Sequence, residues 1–160
     1  FWPGASRKRE YIFSDIPEAV LSGEVDAGLI IHETRFTYLS LGLKKVADTG
    51  EYWEKMTGMP VPLGGIVVHR SVDEDIAGKV SRSIRRSIEY AWADQSASVD
   101  FIRRHAREID SAVTREHISL FVNGFSLSLG KDGKAAIERL YSVAQERKVL
   151  GAMPERIFLL

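Results

Sequence analysis

Along Gly28-Leu29-Ile30-Ile31-His32-Glu33-Thr34-Arg35-Phe36-Thr37-Tyr38, an apolar run gives way at once to an imidazole, a carboxylate, a guanidinium and aromatic rings. A strand that ends so abruptly in titratable side chains opens onto something, and in open α/β sheets ligands sit outside the carboxyl ends of the strands. His32 then has three readings: a core histidine donating to a backbone carbonyl, an imidazole merely exposed at the strand end, or a proton acceptor. Unperturbed imidazole titrates at about pH 6.5, so its neutral form is available as a base near neutrality. Alternation along a strand places Ile30 and His32 on one face and Ile31 and Glu33 on the other, which argues against a His32–Glu33 dyad. Arg35 can clamp a carboxylate through two parallel hydrogen bonds or sit in a surface salt bridge. Tyr38 can stack on a flat substrate or simply pack.

Met59-Pro60-Val61-Pro62-Leu63-Gly64-Gly65 is the second unusual segment. Prolines stiffen it, and the glycines either admit a ligand close to the backbone or make a tight, rigid turn. Leu63, Gly64 and Gly65 are therefore candidate substrate contacts, although the spacing is not that of a phosphate-binding loop. In Phe121-Val122-Asn123-Gly124-Phe125-Ser126, Asn123 and Gly124 suit a left-handed helix cap, and Asn123 could equally reach into a cleft. His69, His105 and His117 show no four-residue pairing of a zinc site. Lys79, Arg82, Arg85 and Arg86 resemble a phosphate grip, but Asp73, Glu74, Asp75 and Glu89 flank them, the pattern of a solvated helix face. No Gly-x-Ser-x-Gly elbow supports a serine nucleophile.

Composition narrows the classes further. The 160 residues are 44% hydrophobic and 28% charged, and Lys+Arg and Asp+Glu are both 22. With zero net charge there is no global field to hold nucleic acid or an anionic membrane, which leaves a small-molecule substrate among the partners to expect, and any steering must be local. Absence of cysteine removes disulfides, thiolate metal sites and cysteine nucleophiles, and fits a cytoplasmic location. No apolar run approaches the roughly 20 residues of a spanning helix.

Strands alternating with helices in the first half predict an α/β class. Strands are expected over Glu10–Phe13, Asp26–His32, Leu43–Ala47 and Gly65–His69, with Glu155–Leu160 as a closing strand. Ser14 or Asp15 is expected to cap a helix that Gly23 ends, and Glu51–Thr57 to form another stopped by Gly58. Beyond Ser71, Ile76, Val80, Ile84, Ile88 and Trp92 recur every four residues as one apolar stripe of a long helix. Ser96 or Ser98 starts a helix through Arg107, Ser111 one through about Val122, and Asp132–Lys148 a last one burying Ile137, Leu140, Tyr141 and Ala144. The expected domains are 1–71, within an α/β lobe, and 72–160, a helical region.

These residues carry a resemblance. Leu29-Ile30-Ile31-His32-Glu33-Thr34-Arg35-Phe36-Thr37-Tyr38, Pro60-Val61-Pro62-Leu63-Gly64-Gly65 and Val122-Asn123-Gly124-Phe125-Ser126-Leu127 look like the 1,4-dihydroxy-6-naphthoate synthase family of the futalosine route to menaquinone. The resemblance implies a type II periplasmic-binding-protein-like fold, of which this chain holds part of the second α/β lobe and C-terminal helices that return to the first. It implies a lyase acting on cyclic dehypoxanthine futalosine, without metal or organic cofactor. The family's proton acceptor falls on His32. Family members have a long N-terminal portion to which nothing here corresponds, and Phe1-Trp2 look like the cut end of a helix. The chain is thus expected to be a truncated piece, inactive alone, that self-associates or pairs with the missing N-terminal segment. A non-catalytic solute-binding lobe and a chorismate dehydratase of the same superfamily are the alternatives.

Overall fold

Pro17, in a first turn where its missing N–H has no partner to lose, and Gly23, at φ +75°, bracket the helix Ile16–Leu21 (α1). The computed structural model describes residues 4–106 and 110–159. After α1 come Thr34–Thr37 (α2), Thr49–Thr57 (α3), Glu74–Ala93 (α4), a 3₁₀ turn at Gln95–Ser98, Val99–His105 (α5), Ser111–Phe121 (α6), Gly124–Leu127 (α7) and Gly130–Glu146 (α8). No helix among the described residues is long and apolar enough to cross a membrane.

The chain divides into two compact units, one drawn from Phe1–Thr49 and Arg107–Ile118, the other from Gly50–Ala106 and Ser119–Leu160. In the first, Ala19 of α1 is buried. The segment after α1 passes so close to it that a Cβ on Gly28 would collide with Ile16 Cγ2 and stand 3.3 Å from Val20 Cγ2. Glycine is what permits that approach. Phe36 of α2 meets His117 edge-on, their ring centroids 6.3 Å apart, and Arg9 pairs with Glu24 at 2.8 Å on the surface.

In the second unit, Trp53 of α3 is buried, and Gly58 at φ +69° ends that helix. Asp73 caps α4, its carboxylate accepting from the N–H of Asp75 (3.0 Å) and Ile76 (3.2 Å). Asp94 repeats the device for the 3₁₀ turn, accepting from the N–H of Ser96 at 2.9 Å. Helix α4 contacts α7 and the 3₁₀ turn, and it buries Ala77 and Gly78. In α8 the buried residues are Gly133 and Ala136, with Phe125 Cδ1 only 3.0 Å from where a Cβ on Gly133 would stand. The C-terminal segment is tied to the start of α4 by Arg156, which pairs with Glu74 at 2.7 Å while its carbonyl accepts from Arg70 at 2.6 Å.

The longer helices match the sequence expectations with small shifts, and the four-residue α2 and α7 are additional to them. Asp15 is the α1 N-cap residue but makes no side-chain cap bond. Helix α8 runs Gly130–Glu146 rather than Asp132–Lys148, because Lys148 turns left-handed at φ +58°. The expected end at Arg107, and the expected helix end at Phe1-Trp2, lie outside the described residues.

The strands do not appear. Among the described residues, 10–13, 26–32, 43–47, 65–69 and 155–159 form no ladder, and Leu160 lies outside them. A strand exists only through hydrogen bonds to a neighbour distant in sequence, and the local pattern that suggested each one cannot supply that neighbour. The α4 stripe lies on one helix as expected, but it is not that helix's most buried side: Ile76, Val80 and Trp92 are about half exposed and Ile84 and Ile88 half-buried, whereas the small residues Ala77 and Gly78 go inside. Likewise Ile137, Leu140, Tyr141 and Ala144 of α8 are only half-buried.

Candidate functional site

His32 stands between an apolar segment without regular structure and a short helix, with its backbone at φ +56°. Left-handed backbone is uncommon for any side chain other than glycine, although histidine enters it more often than most. The conformation is held from the C-terminal side, where the N–H of Arg35 donates to the His32 carbonyl (3.3 Å) and that of Phe36 to Glu33 (2.9 Å). His32 is therefore in a turn and not in a strand, so the face alternation that separated it from Glu33 does not apply. Its ring lies against Phe13, centroids 4.7 Å apart and planes at 51°. The side chain is exposed, and among the described residues no hydrogen bond is made to either ring nitrogen. That geometry is not the carbonyl-bound core histidine. An accessible imidazole pinned on one side by an aromatic ring can accept a proton from a molecule arriving on the other.

Arg35 lies in the same unit, in α2. Its Nη2 is 3.8 Å from Asp48 Oδ2, and its Cζ stands 5.6 Å from the centroid of Phe36. At 3.8 Å the pair is ionic contact and not a two-bond fork. The guanidinium is half-exposed, held by charge on one side and by a ring on the other.

Leu63, Gly64 and Gly65 belong to the second unit, in backbone that forms no helix, turn or ladder and is exposed throughout. The tight turn weighed for this segment is absent. Neither glycine has positive φ, and a Cβ on either would meet nothing within 4 Å. Their backbone does not need glycine, so what the missing side chains leave is room for something to approach.

Asn123, also in the second unit, is not a left-handed C-cap. At φ −132° it is the N-cap of α7, where its Oδ1 accepts from the N–H of Phe125 (2.9 Å) and its Nδ2 donates to the Leu120 carbonyl (3.0 Å). Ser126 completes a capping box by accepting from the Asn123 N–H at 3.1 Å. Asn123 also borders a shallow depression of ≈ 430 Å³ with Phe125, Leu129 and Asp132.

The remaining candidates take their plainer readings. His69 Nδ1 bonds the Ser71 hydroxyl at 2.8 Å, and His105 packs on Phe101. Arg85 pairs with Glu89 one turn away at 2.9 Å, as on a solvated helix face. Among the described residues no three His, Cys, Asp or Glu side chains are grouped to hold a metal ion. Phe13 and Asp48, the partners of His32 and Arg35, went unnoticed in the sequence because each lies well away along the chain, beyond any local spacing rule.

Residues 3–146 match a family described as Menaquinone biosynthesis. The chain is 45% identical over 141 residues to a 1,4-dihydroxy-6-naphthoate synthase of Streptomyces coelicolor, taking in 88% of this chain and 50% of that protein. It is 40% identical over 150 residues to the enzyme of that name from Thermus thermophilus, taking in 94% of this chain and 55% of that one. The chain thus spans about half the length of these relatives. The crystal structure of protein AF1704 from Archaeoglobus fulgidus superposes with a TM-score of 0.79 at 30% identity, over 86% of this chain and 52% of the other. That likeness supports an α/β-type family fold, to which this chain contributes its helices and its unpaired extended segments.

Proposed function

The chain belongs to the menaquinone-biosynthesis family, and from that premise we propose that it carries the proton-accepting part of a lyase converting cyclic dehypoxanthine futalosine to 1,4-dihydroxy-6-naphthoate. The finer fold we propose is the type II periplasmic-binding-protein-like one. The observation that carries the reading is His32 itself, an exposed imidazole in left-handed backbone inside the His-Glu-x-Arg-Phe-Thr-Tyr run. Backbone strain concentrates where a side chain must be aimed, and identity of 45% and 40% to two synthases supplies the reaction.

In this reading the neutral His32 imidazole removes the proton that starts cleavage of the cyclic intermediate. Phe13 limits the ring's rotation, so that one edge faces the substrate. Arg35 offers charge to an anionic or polar substrate group. Contacts by Leu63, Gly64, Gly65 and Asn123 are proposed from residue type and from the family resemblance.

The test is His32→Asn in a protein of the relatives' full length bearing this sequence. Asparagine tolerates left-handed backbone but is no base, so the fold is retained while kcat falls by about 10²–10⁴. An unchanged kcat for release of 1,4-dihydroxy-6-naphthoate overturns the role.

A further inference from the structure

Arg70 sits on a tight turn, in which the N–H of Val72 donates to the His69 carbonyl (3.1 Å) and that of Ser71 to His69 Nδ1 (3.2 Å). Its Nη2 donates to the carbonyl of Arg156, 86 positions along the chain, at 2.6 Å. The guanidinium is thus held through its backbone on one side and by a main-chain acceptor on the other. Among the described residues no carboxylate pairs with it. The charge of Arg156 is met by Glu74 at 2.7 Å, so the positive charge of Arg70 is the one left over.

Arg70 borders a depression of ≈ 260 Å³ formed with Tyr141 of α8 and with residues 150–154 and 157, all within the second unit. Tyr141, Leu150, Met153, Pro154 and Ile157 give it an apolar wall. Its polar groups are unbalanced. The N–H groups of Gly151, Ala152 and Met153 and the Tyr141 hydroxyl make no hydrogen bond among the described residues, and neither do Nε and Nη1 of Arg70. The Gly151 carbonyl, in contrast, already accepts from Gln145 at 3.0 Å. Free donors and a spare positive charge beside apolar side chains suit an anion carried on an apolar body. One guanidinium matches the single charge of a carboxylate better than the roughly 1.5–2 charges of a phosphate monoester. The volume lies just below the roughly 300–1,000 Å³ of sites for drug-sized ligands, and so admits a molecule of one or two rings.

We propose that this depression binds a small aromatic monocarboxylate, with the carboxylate on Arg70 and the ring against Tyr141, Met153 and Pro154. The inference rests on charge and hydrogen bonding within the second unit and is independent of the role given to His32.

Titration of benzoate into the isotope-labelled chain, followed by amide chemical shifts, tests it. Saturable shifts are expected at Gly151, Ala152 and Met153 and at the Arg70 Nε–H. Benzamide has nearly the same shape without the charge, and is expected to bind at least about tenfold more weakly. Arg70→Gln weakens benzoate by at least about as much and leaves the helical circular dichroism unchanged. The comparison of benzoate with benzamide needs no variant, and so decides the matter even where Arg70→Gln does not fold. In a protein of the relatives' full length bearing this sequence, benzoate shifts the same amides. Equal binding of benzamide overturns the proposal, because the depression is then an apolar surface only. Undiminished benzoate binding by folded Arg70→Gln does so too. Inorganic phosphate saturating the same shifts at lower concentration overturns the ligand class. Loss of the shifts in the full-length protein equally overturns the proposal, because polypeptide then fills the depression.

Discussion

At the scale of single residues, what distinguishes His32 is its backbone as much as its ring. Left-handed torsions at φ +56° cost an ordinary residue about 1–2 kcal/mol, and β-branched residues suffer most. His32→Val is accordingly expected to destabilise the chain by about 1–3 kcal/mol in urea titration, while His32→Asn stays close to the parent. Equal stability of the two variants would show that the left-handed turn does not persist in solution. Arg35 separates binding from chemistry. Its contact with Asp48 is partly exposed at 3.8 Å, so Arg35→Ala changes stability by less than about 1 kcal/mol. In a protein of the relatives' full length it raises KM and spares kcat, the pattern of a lost ground-state contact. A fall in kcat at constant KM would instead put Arg35 in the transition state. The position of His32 could be read from the sequence, as could the identity of its neighbours along the chain. The Phe13 ring could not, because it depends on a contact between residues far apart along the chain.

At the scale of elements, the helices were legible and the strands were not, for one physical reason. Caps and breakers such as Asp73, Gly23 and Gly58 act within a turn of themselves. A strand such as 65–69 is defined by a partner the local sequence does not contain. Which side of a helix goes inside is equally non-local, and α4 buries Ala77 and Gly78 while Ile76 and Val80 stay exposed. Gly28 shows the local and the distant meeting. Its missing Cβ lets the chain lie on Ile16 and Val20, so Gly28→Ala forces overpacking that costs about 1–3 kcal/mol, read as a lowered urea midpoint. An unchanged midpoint would mean that α1 moves aside freely. Two caps also bring pH dependence. Asp94 is held below the usual carboxylate value by the Ser96 hydroxyl and then its N–H, and Asp110 by the N–H groups of Val113 and then Ala112. A carboxyl whose folded value is depressed contributes stability that is complete above its unfolded value, about 3.9 for aspartate, and lost as pH falls through the folded value. Helical circular dichroism therefore declines on acidification below about pH 4. Asp110→Asn keeps an acceptor at the cap but cannot titrate, and so removes its share of that decline. An identical acid titration in Asp110→Asn would place the pH dependence elsewhere.

At the scale of the molecule, what the described residues lack is burial of large apolar side chains. Among the described residues the buried hydrophobic side chains are Ala19, Trp53, Ala77 and Ala136, and most of these are small. The urea m-value scales with the area exposed on unfolding, so with so few large side chains buried it should fall below that of an ordinary domain of equal length. An apolar dye should bind the folded chain, because Ile66, Val67 and the α4 stripe offer it a surface. Both signals depend on the same uncovered area and must move together: covering it raises m toward that of an ordinary domain of equal length and abolishes dye binding. An m-value already at that figure in the dilute chain, with no dye bound, would mean that the chain closes on itself in solution, burying Ile66 and Val67 without any other polypeptide.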